Sequence, residues 1–276
     1  MSAKSKVVLV TGASSGIGAA IAKRLAKRHP VFGTSRKANA TPPASGVRML
    51  LMDVREDKSI ADAIAQLLKE AGRIDVLVNN AGYGIAASIE DTRPDDMLRQ
   101  IDTNFLGPLR VCQAVLPTMR AQGFGRIVQI SSLAARIGIP FQGAYSASKS
   151  ALRGMTEALS MEVKPFGIDV VMVEPGDTKS NFTAAREWTA AAKSNDVYAA
   201  RAKHAIAVME KSEQSGPPAD KVARIVERAI AAPRPKLRYV SATSTERLAL
   251  VLQRWLPDRM FEGVVNSIYE LPKPKK

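Results

Sequence analysis

Residues 11 to 18 read Thr-Gly-Ala-Ser-Ser-Gly-Ile-Gly, set between the apolar run Val7 to Val10 and the helical spacing Ile17, Ala20, Ile21, Leu25. A strand that ends in a glycine turn and opens a helix aims unpaired backbone N–H groups and the positive end of the helix dipole at one point, where a pyrophosphate can sit. Glycine there lets backbone and phosphate approach closely. The candidate cradle is Gly12, Ser14, Ser15, Gly16, Ile17 and Gly18. Its glycine spacing is not the Gly-x-Gly-x-x-Gly of the broader dinucleotide fingerprint, so a tight turn without a ligand is the competing reading of this stretch alone.

Charge favours the ligand. The chain carries 40 Lys plus Arg against 26 Asp plus Glu, a net charge of +14. Residues 1 to 52 hold nine basic residues and no acidic one, and residues 233 to 276 hold nine basic and four acidic. A first segment without a carboxylate suits a highly anionic ligand, because repulsion is absent where its phosphates would dock. Nucleic acid is the other anionic partner to consider. It is not expected, since no nucleic-acid motif appears and the aromatic residues, 5% of the chain, do not interleave with the basic ones.

At 276 residues and 46% apolar content the chain can bury a large core, and a single domain spanning 1–276 is expected. The one cysteine, Cys112, sits in the apolar spacing Leu109, Val111, Val115, Leu116 and reads as a packed thiol. No intrachain disulfide is available, which fits a reducing, cytoplasmic setting. The apolar run before Thr11 is too short for a signal peptide, and no stretch reaches a membrane span. Two distant histidines and one thiol give a transition metal little to bind, so no metal site is expected.

Short aliphatic runs alternate with amphipathic segments along the chain. The expected strands are Val7 to Val10, Val31 to Thr34, Arg48 to Met52, Val76 to Val78, Ile127 to Ile130, Asp169 to Val173 and Leu237 to Val240. Runs that are apolar almost throughout, separated by helices, predict a doubly wound (Rossmann) α/β fold: a parallel sheet of about seven strands with helices on both faces. Ligands bind such sheets beyond the carboxyl ends of the strands. The residues just past each run, Gly12, Arg36, Asp53, Asn79, Ser132 and Pro175, therefore matter most. Gly216 to Pro218 mark a break before a helix over Lys221 to Ala232, and Lys273 to Lys276 read as a frayed tail.

In that order, the glycine turn, Asn79-Asn80-Ala81-Gly82, Asn104, Ser132, Tyr145-x-x-x-Lys149 and Pro175-Gly176 resemble the short-chain dehydrogenase/reductase superfamily, over roughly Lys6 to Ser180. The residues support the chemistry on their own. Tyr145 and Lys149 lie four apart in a helical stretch and share a face. An ammonium near a phenol is expected to lower its pKa toward neutrality, which suits Tyr145 to general acid–base work. Ser132 ends a strand, where its hydroxyl can hold a substrate oxygen. The amide of Asn104, inside the preceding helical segment, can hold a water that links Lys149 to solvent. The resemblance implies that these four form the catalytic tetrad and that Lys149 also binds the nicotinamide ribose. It further implies that Asp53 and Val54 flank the adenine, that Asn79, Asn80, Ala81 and Gly82 brace the central strands and line the cofactor, and that Pro175, Gly176 and Ser180 belong to its nicotinamide half.

The end of the second strand bears on the cofactor. NAD-selective sites place an acid there; here Ser35 occupies that position and Arg36 follows with a planar fork suited to phosphate oxygens. NADP(H) is expected over NAD(H), although the glycine turn carries Ser14 and Ser15 where many NADP-preferring relatives carry a basic residue. Residues 181–215 read as a helical lid that excludes water during hydride transfer. Residues 243–272 read as a C-terminal helical extension, and Arg238-Tyr239-Val240 followed by Leu248, Leu252, Trp255-Leu256-Pro257-Asp258-Arg259 and Phe261 resemble the 17β-hydroxysteroid dehydrogenase type 1-like and retinol dehydrogenase-like branch. That implies a bulky, apolar ketone or aldehyde and its alcohol, a homodimer or homotetramer, and a C-terminal face serving pocket, partner copy or membrane surface. A protein that senses NADP(H) without turnover is the alternative reading on the same fold.

Overall fold

All seven aliphatic runs become strands of one parallel sheet. In a computed structural model, which describes residues 5–37 and 39–271, the chain order begins β1 (Val8–Val10), α1 (Gly16–Leu25), β2 (Val31–Ser35), β3 (Val47–Leu51), α2 (Asp57–Ala71) and β4 (Val76–Asn79). A two-residue strand β5 (Ile85–Ala86) precedes α3 (Pro94–Ile101) and α4 (Gly107–Gln122), which lead to β6 (Gly125–Ile130), α5 (Gly143–Glu162) and β7 (Ile168–Pro175). Then come β8 (Glu187–Trp188), α6 (Ala190–Ser194), α7 (Asp196–Ser215), α8 (Ala219–Ala231), β9 (Arg238–Ser241), α9 (Ser244–Trp255) and α10 (Asp258–Ile268). The expected frayed tail, Lys273 to Lys276, lies outside the described residues.

The sheet order is β3-β2-β1-β4-β6-β7-β9, with Val8 of β1 in register with Val31 of β2 on one side and Val76 of β4 on the other. From β1 the chain winds outward to β3, returns to β4 beside β1, and winds to the opposite edge. Loops after β1 and β4 therefore diverge, and the crevice between them opens at the carboxyl ends of the strands.

Alternation along each strand feeds two separate cores. Val8, Val10, Val31, Val76, Val78 and Val128 pack on Ile21 and Leu25 of α1 and Val222 and Val226 of α8. Leu9, Phe32, Leu50, Leu77 and Ile127 face the other way, onto Ile60, Ile64 and Leu67 of α2 and Val111, Val115 and Met119 of α4. Burying each such side chain is worth about 1.5–3 kcal/mol, which is why both faces are covered. Cys112 joins the second core, accepting weak hydrogen bonds from Asn79 and Gln129, and burial pushes its thiol up to about 12.

Two features escape the sequence pattern. β5 and β8 pair with each other in a small parallel sheet, each too short to show a period. Between α3 and α4 the helix widens into a π-helical stretch, Asp102–Leu106, which carries Asn104.

Candidate active site

The glycine turn does what its residue types require. Gly12 has φ of +65°, and a Cβ on Gly18 would lie 2.2 Å from the Gly12 carbonyl oxygen, so neither position admits a larger residue without rearrangement. Helix α1 opens with no side-chain cap and no acid in its first turn, which leaves its leading N–H groups to the crevice. Thr11 ties this turn to the next strand: its hydroxyl accepts from the backbone N–H of Asn80 at 2.9 Å and of Ala81 at 3.0 Å. The Asn80 amide returns the brace, donating to the carbonyls of Thr11 (3.0 Å) and Gly12 (3.2 Å).

A cavity of about 1420 Å³ runs along the carboxyl edge of the sheet. That is more than one drug-sized ligand fills, and it leaves room for a dinucleotide together with a second molecule. Its wall includes Gly12, Ser14, Ser15, Gly16, Ile17, Ser35, Arg36, Asp53, Val54, Asn80, Ala81 and Gly82 at one end. Ser132, Tyr145, Lys149, Pro175, Gly176 and Ser180 continue it. Three expected site residues stand behind this wall. Asn79 is buried, its amide donating to the Pro108 carbonyl at 3.3 Å. Gly18 packs beneath Gly12 and Asn80. Asn104 is fully buried, with its amide donating to the Tyr83 carbonyl at 2.9 Å and to Ser148 Oγ at 3.1 Å while its oxygen accepts from the Tyr83 N–H at 3.1 Å. The π-helical turn thus aims Asn104 at the loop after β4 and at the residue next to Lys149, rather than into the crevice.

Tyr145 and Lys149 share the inward face of α5, with Lys149 Nζ 5.8 Å from the phenol ring centroid. Lys149 is buried, and its ammonium donates once, to the Ile130 carbonyl at 2.9 Å, leaving two N–H groups for the crevice. Burial lowers its pKa to about 8. Burial also pushes Tyr145 up to about 12, against a smaller downward pull from a hydrogen bond to Ser132. The expectation that Lys149 brings the phenol toward neutrality is therefore corrected: with the ring packed against Phe182 (centroids 5.3 Å apart), desolvation of the phenolate dominates. Ser132 caps a short 3₁₀ turn, accepting from the Ala134 N–H at 3.1 Å, so its own O–H is left to face Tyr145 across the crevice.

At the other end of the cavity, Ser35 Oγ accepts from the Lys37 N–H at 3.1 Å, and Arg36 is exposed with no carboxylate partner among the described residues. Asp53 is already engaged. Arg55 grips it bidentately, Nε to Oδ1 at 3.0 Å and Nη2 to Oδ2 at 2.7 Å, and holds its carboxyl below the usual range.

Several wall residues were not singled out from the sequence. Glu246 of α9 accepts from the Asp177 N–H at 2.6 Å, pinning the turn after β7 to the C-terminal extension. Burial, with Glu246 and Glu213 nearby, pushes Asp177 up to about 6. Behind the wall, Arg186 is buried against Phe182 and donates to Glu213 at 2.6 Å and, from Nε, to the Gln142 amide oxygen at 2.7 Å. These are long-range partners with no local spacing to announce them. The expected lid contributes Phe182 and Met209 to the wall, and the C-terminal helices contribute Phe261 and Tyr269, so that extension serves the cavity directly.

Residues 6–190 match the family model described as short chain dehydrogenase. The chain belongs to that family. It is 38% identical to the 3-ketodihydrosphingosine reductase of Bacteroides thetaiotaomicron, over 96% of this chain and 98% of that one. It is 33% identical to human 17-beta-hydroxysteroid dehydrogenase type 1, over 95% and 84% respectively, in keeping with the branch that the stretch from Arg238 to Phe261 resembles. The crystal structure of a short-chain dehydrogenase from Streptomyces avermitilis superposes with a TM-score of 0.79 at 32% identity, covering 96% of this chain and all of the other. This short-chain dehydrogenase is accordingly an oxidoreductase of CH–OH groups that uses a nicotinamide cofactor and a small-molecule substrate. No helix among its described residues is long and apolar enough to cross a membrane.

Proposed function

We propose that the protein is an NADP(H)-dependent reductase of apolar ketones or aldehydes, with Tyr145 as the proton donor. One observation carries the reading. A phenol that stays protonated, a serine hydroxyl that faces it and a buried ammonium with two unused N–H groups converge on one stretch of the crevice, beyond an uncapped helix N-terminus.

The crevice fits a dinucleotide. The leading N–H groups of α1 and the closely packed Gly12 turn suit its pyrophosphate, Lys149 has donors for ribose hydroxyls, and Arg36 has none of its charge committed to a carboxylate among the described residues. Arg36 beside Ser35 supports the 2′-phosphate form. Bound there, the cofactor supplies hydride to a carbonyl carbon. Ser132 donates a hydrogen bond to the carbonyl oxygen and holds it as negative charge develops. Tyr145 gives its proton to the same oxygen, so that hydride and proton together turn C=O into CH–OH. A pKa of about 12 keeps Tyr145 protonated near neutrality, the form that reduction needs. Lys149 holds its position through the Ile130 carbonyl, with Nζ 5.8 Å from the phenol ring centroid. The Bacteroides reductase and the human steroid dehydrogenase, by their names, act on keto or hydroxyl compounds with large apolar bodies, and the cavity walls contributed by Phe182, Met209 and Phe261 are apolar to match.

The test is loss of NADPH absorbance across a panel of apolar ketones and aldehydes, repeated with NADH. NADPH is expected to be preferred, and Arg36→Asp is expected to lower the NADPH-over-NADH ratio of kcat/KM by about tenfold to a hundredfold, the worth of hydrogen bonds to a charged group. An unchanged ratio removes Arg36 as the selector; no turnover with any carbonyl removes the reductase reading.

A further inference from the structure

A second cavity, about 650 Å³, lies on the outer side of the substrate end of the crevice. Four residues, Ile137, Ile139, Phe261 and Val265, line both cavities, so the partition between them is a single layer of side chains. The layer carries no polar side-chain atom. Two of its members stand on the loop between β6 and α5, the loop that begins at Ser132, and the other two are one turn apart on α10.

We infer that this partition is the neck of a channel for a linear hydrocarbon chain, which runs from the reacting carbonyl beside Tyr145, past Val265, into the outer cavity. The inference deepens the reductase reading and rests on it for the position of the carbonyl. Three observations carry it. First, beyond the neck the wall sets Ile89, Phe141 and Leu271 among charged residues, with Arg136, Arg201 and Glu262 lining the same cavity. An apolar throat that opens into a wall of mixed apolar and charged groups suits an alkyl tail whose far end reaches water there. Second, the neck is built to part: α10 buries one residue, Val265, so the helix is held by few contacts and can shift to admit a chain. Third, the loop opposite is rigidly specified. Phe141 holds a left-handed backbone with φ of 59°, its carbonyl accepts from the Ala87 N–H at 3.0 Å, and Ser146 Oγ accepts from the Ile139 N–H at 3.1 Å. A movable helix against a fixed loop admits a flexible chain one methylene wide. A fused-ring ketone occupies the inner cavity alone.

The test is calorimetric titration of the NADP-loaded protein with linear 2-alkanones of increasing length, in parallel with turnover of the same ketones. Asn266 lines only the outer cavity and is half-exposed, so Asn266→Trp fills that cavity without disturbing the core. In the native protein each methylene that enters the channel is expected to tighten binding by about fourfold, the worth of one buried CH2. In Asn266→Trp that gain is expected to stop at shorter chains, lowering the long-over-short ratio in both binding and kcat/KM. Should tryptophan compromise folding, Asn266→Phe, judged by the same ratio, replaces it. A native affinity that does not rise with chain length, or an identical ratio in the variant, overturns the channel. Chain-length-dependent binding without any turnover sinks the reductase reading and leaves the channel standing.

Discussion

The two ends of the sheet hold the same kinds of group and treat them in opposite ways. At the amino end, buried Arg126 of β6 donates to the carbonyls of Ala229 (2.9 Å), Ile230 (2.8 Å) and Ala232 (2.7 Å) at the C-terminus of α8, and to Asp169 at 2.7 Å. Lys6 adds a hydrogen bond to Ile230 at 2.9 Å, and Asp75 accepts from the Val7 N–H at 2.8 Å while pairing with Arg73. Cations sit where the negative end of a helix dipole calls for them, and the protein supplies the partners. At the carboxyl end, buried Lys149 has one acceptor, the Ser132 O–H faces only Tyr145, and the N-terminus of α1 has neither cap nor acid. Polar groups engaged in this way, with Nε the one nitrogen of the Arg126 guanidinium left without a partner, serve stability. Unsaturated ones, held in a folded protein at a cost, are held for a ligand.

The contrast breaks most sharply if Lys149 and Arg126 respond alike to removal. Lys149→Met is expected to lower kcat/KM by about 10²–10⁴, the range for a lost acid–base partner, in steady-state NADPH oxidation. The same change is expected to stabilise the protein near neutral pH. A pKa lowered from 10.5 to about 8 means that the folded state disfavours the ammonium, a penalty of about 3 kcal/mol. The penalty is constant below pH 8, where folded and unfolded chains are both protonated. It fades as pH rises from about 8 to 10.5, where the unfolded chain binds more protons. Denaturant titrations of both proteins across that window should show the variant's advantage shrinking; an advantage that grows with pH contradicts the assignment.

Arg126→Leu should do the reverse. Removing one partner of a buried pair costs about 3–5 kcal/mol, read as a fall in the urea midpoint, while kcat/KM per folded molecule stays within about twofold of native because the change lies at the far edge of the sheet. The smallest effect expected is that of Asn80→Ala. It strips the glycine turn of two hydrogen bonds at a cost of about 1–3 kcal/mol, and it should weaken NADP binding by a comparable factor, measured by titration.

What the sequence discloses and what it hides follow from distance along the chain. The strands are legible because each is a short aliphatic run, and the Tyr145–Lys149 pair is legible because a helix repeats every three to four residues. Gly12 and Gly18 announce themselves because residues with a Cβ do not fit there. Asn104 is legible as a residue, whereas the π-helical turn that sets its amide on Tyr83 leaves no mark in the pattern. Glu246 at Asp177, and Arg186 at Glu213 and Gln142, stayed hidden because they join segments far apart in sequence. The rise of the Tyr145 pKa was missed for a different reason: spacing reports which charge is near, and burial, which here outweighs it, is a property of the whole fold.

The account turns on Tyr145 being the group that hands over the proton. Single-turnover mixing of NADPH-loaded Tyr145→Phe with an apolar ketone, alongside titration of NADPH binding, isolates that step. Unimpaired NADPH binding with oxidation of the cofactor slowed by about 10²–10⁴ is the predicted result. Oxidation at the native rate contradicts it and moves the chemistry to another group.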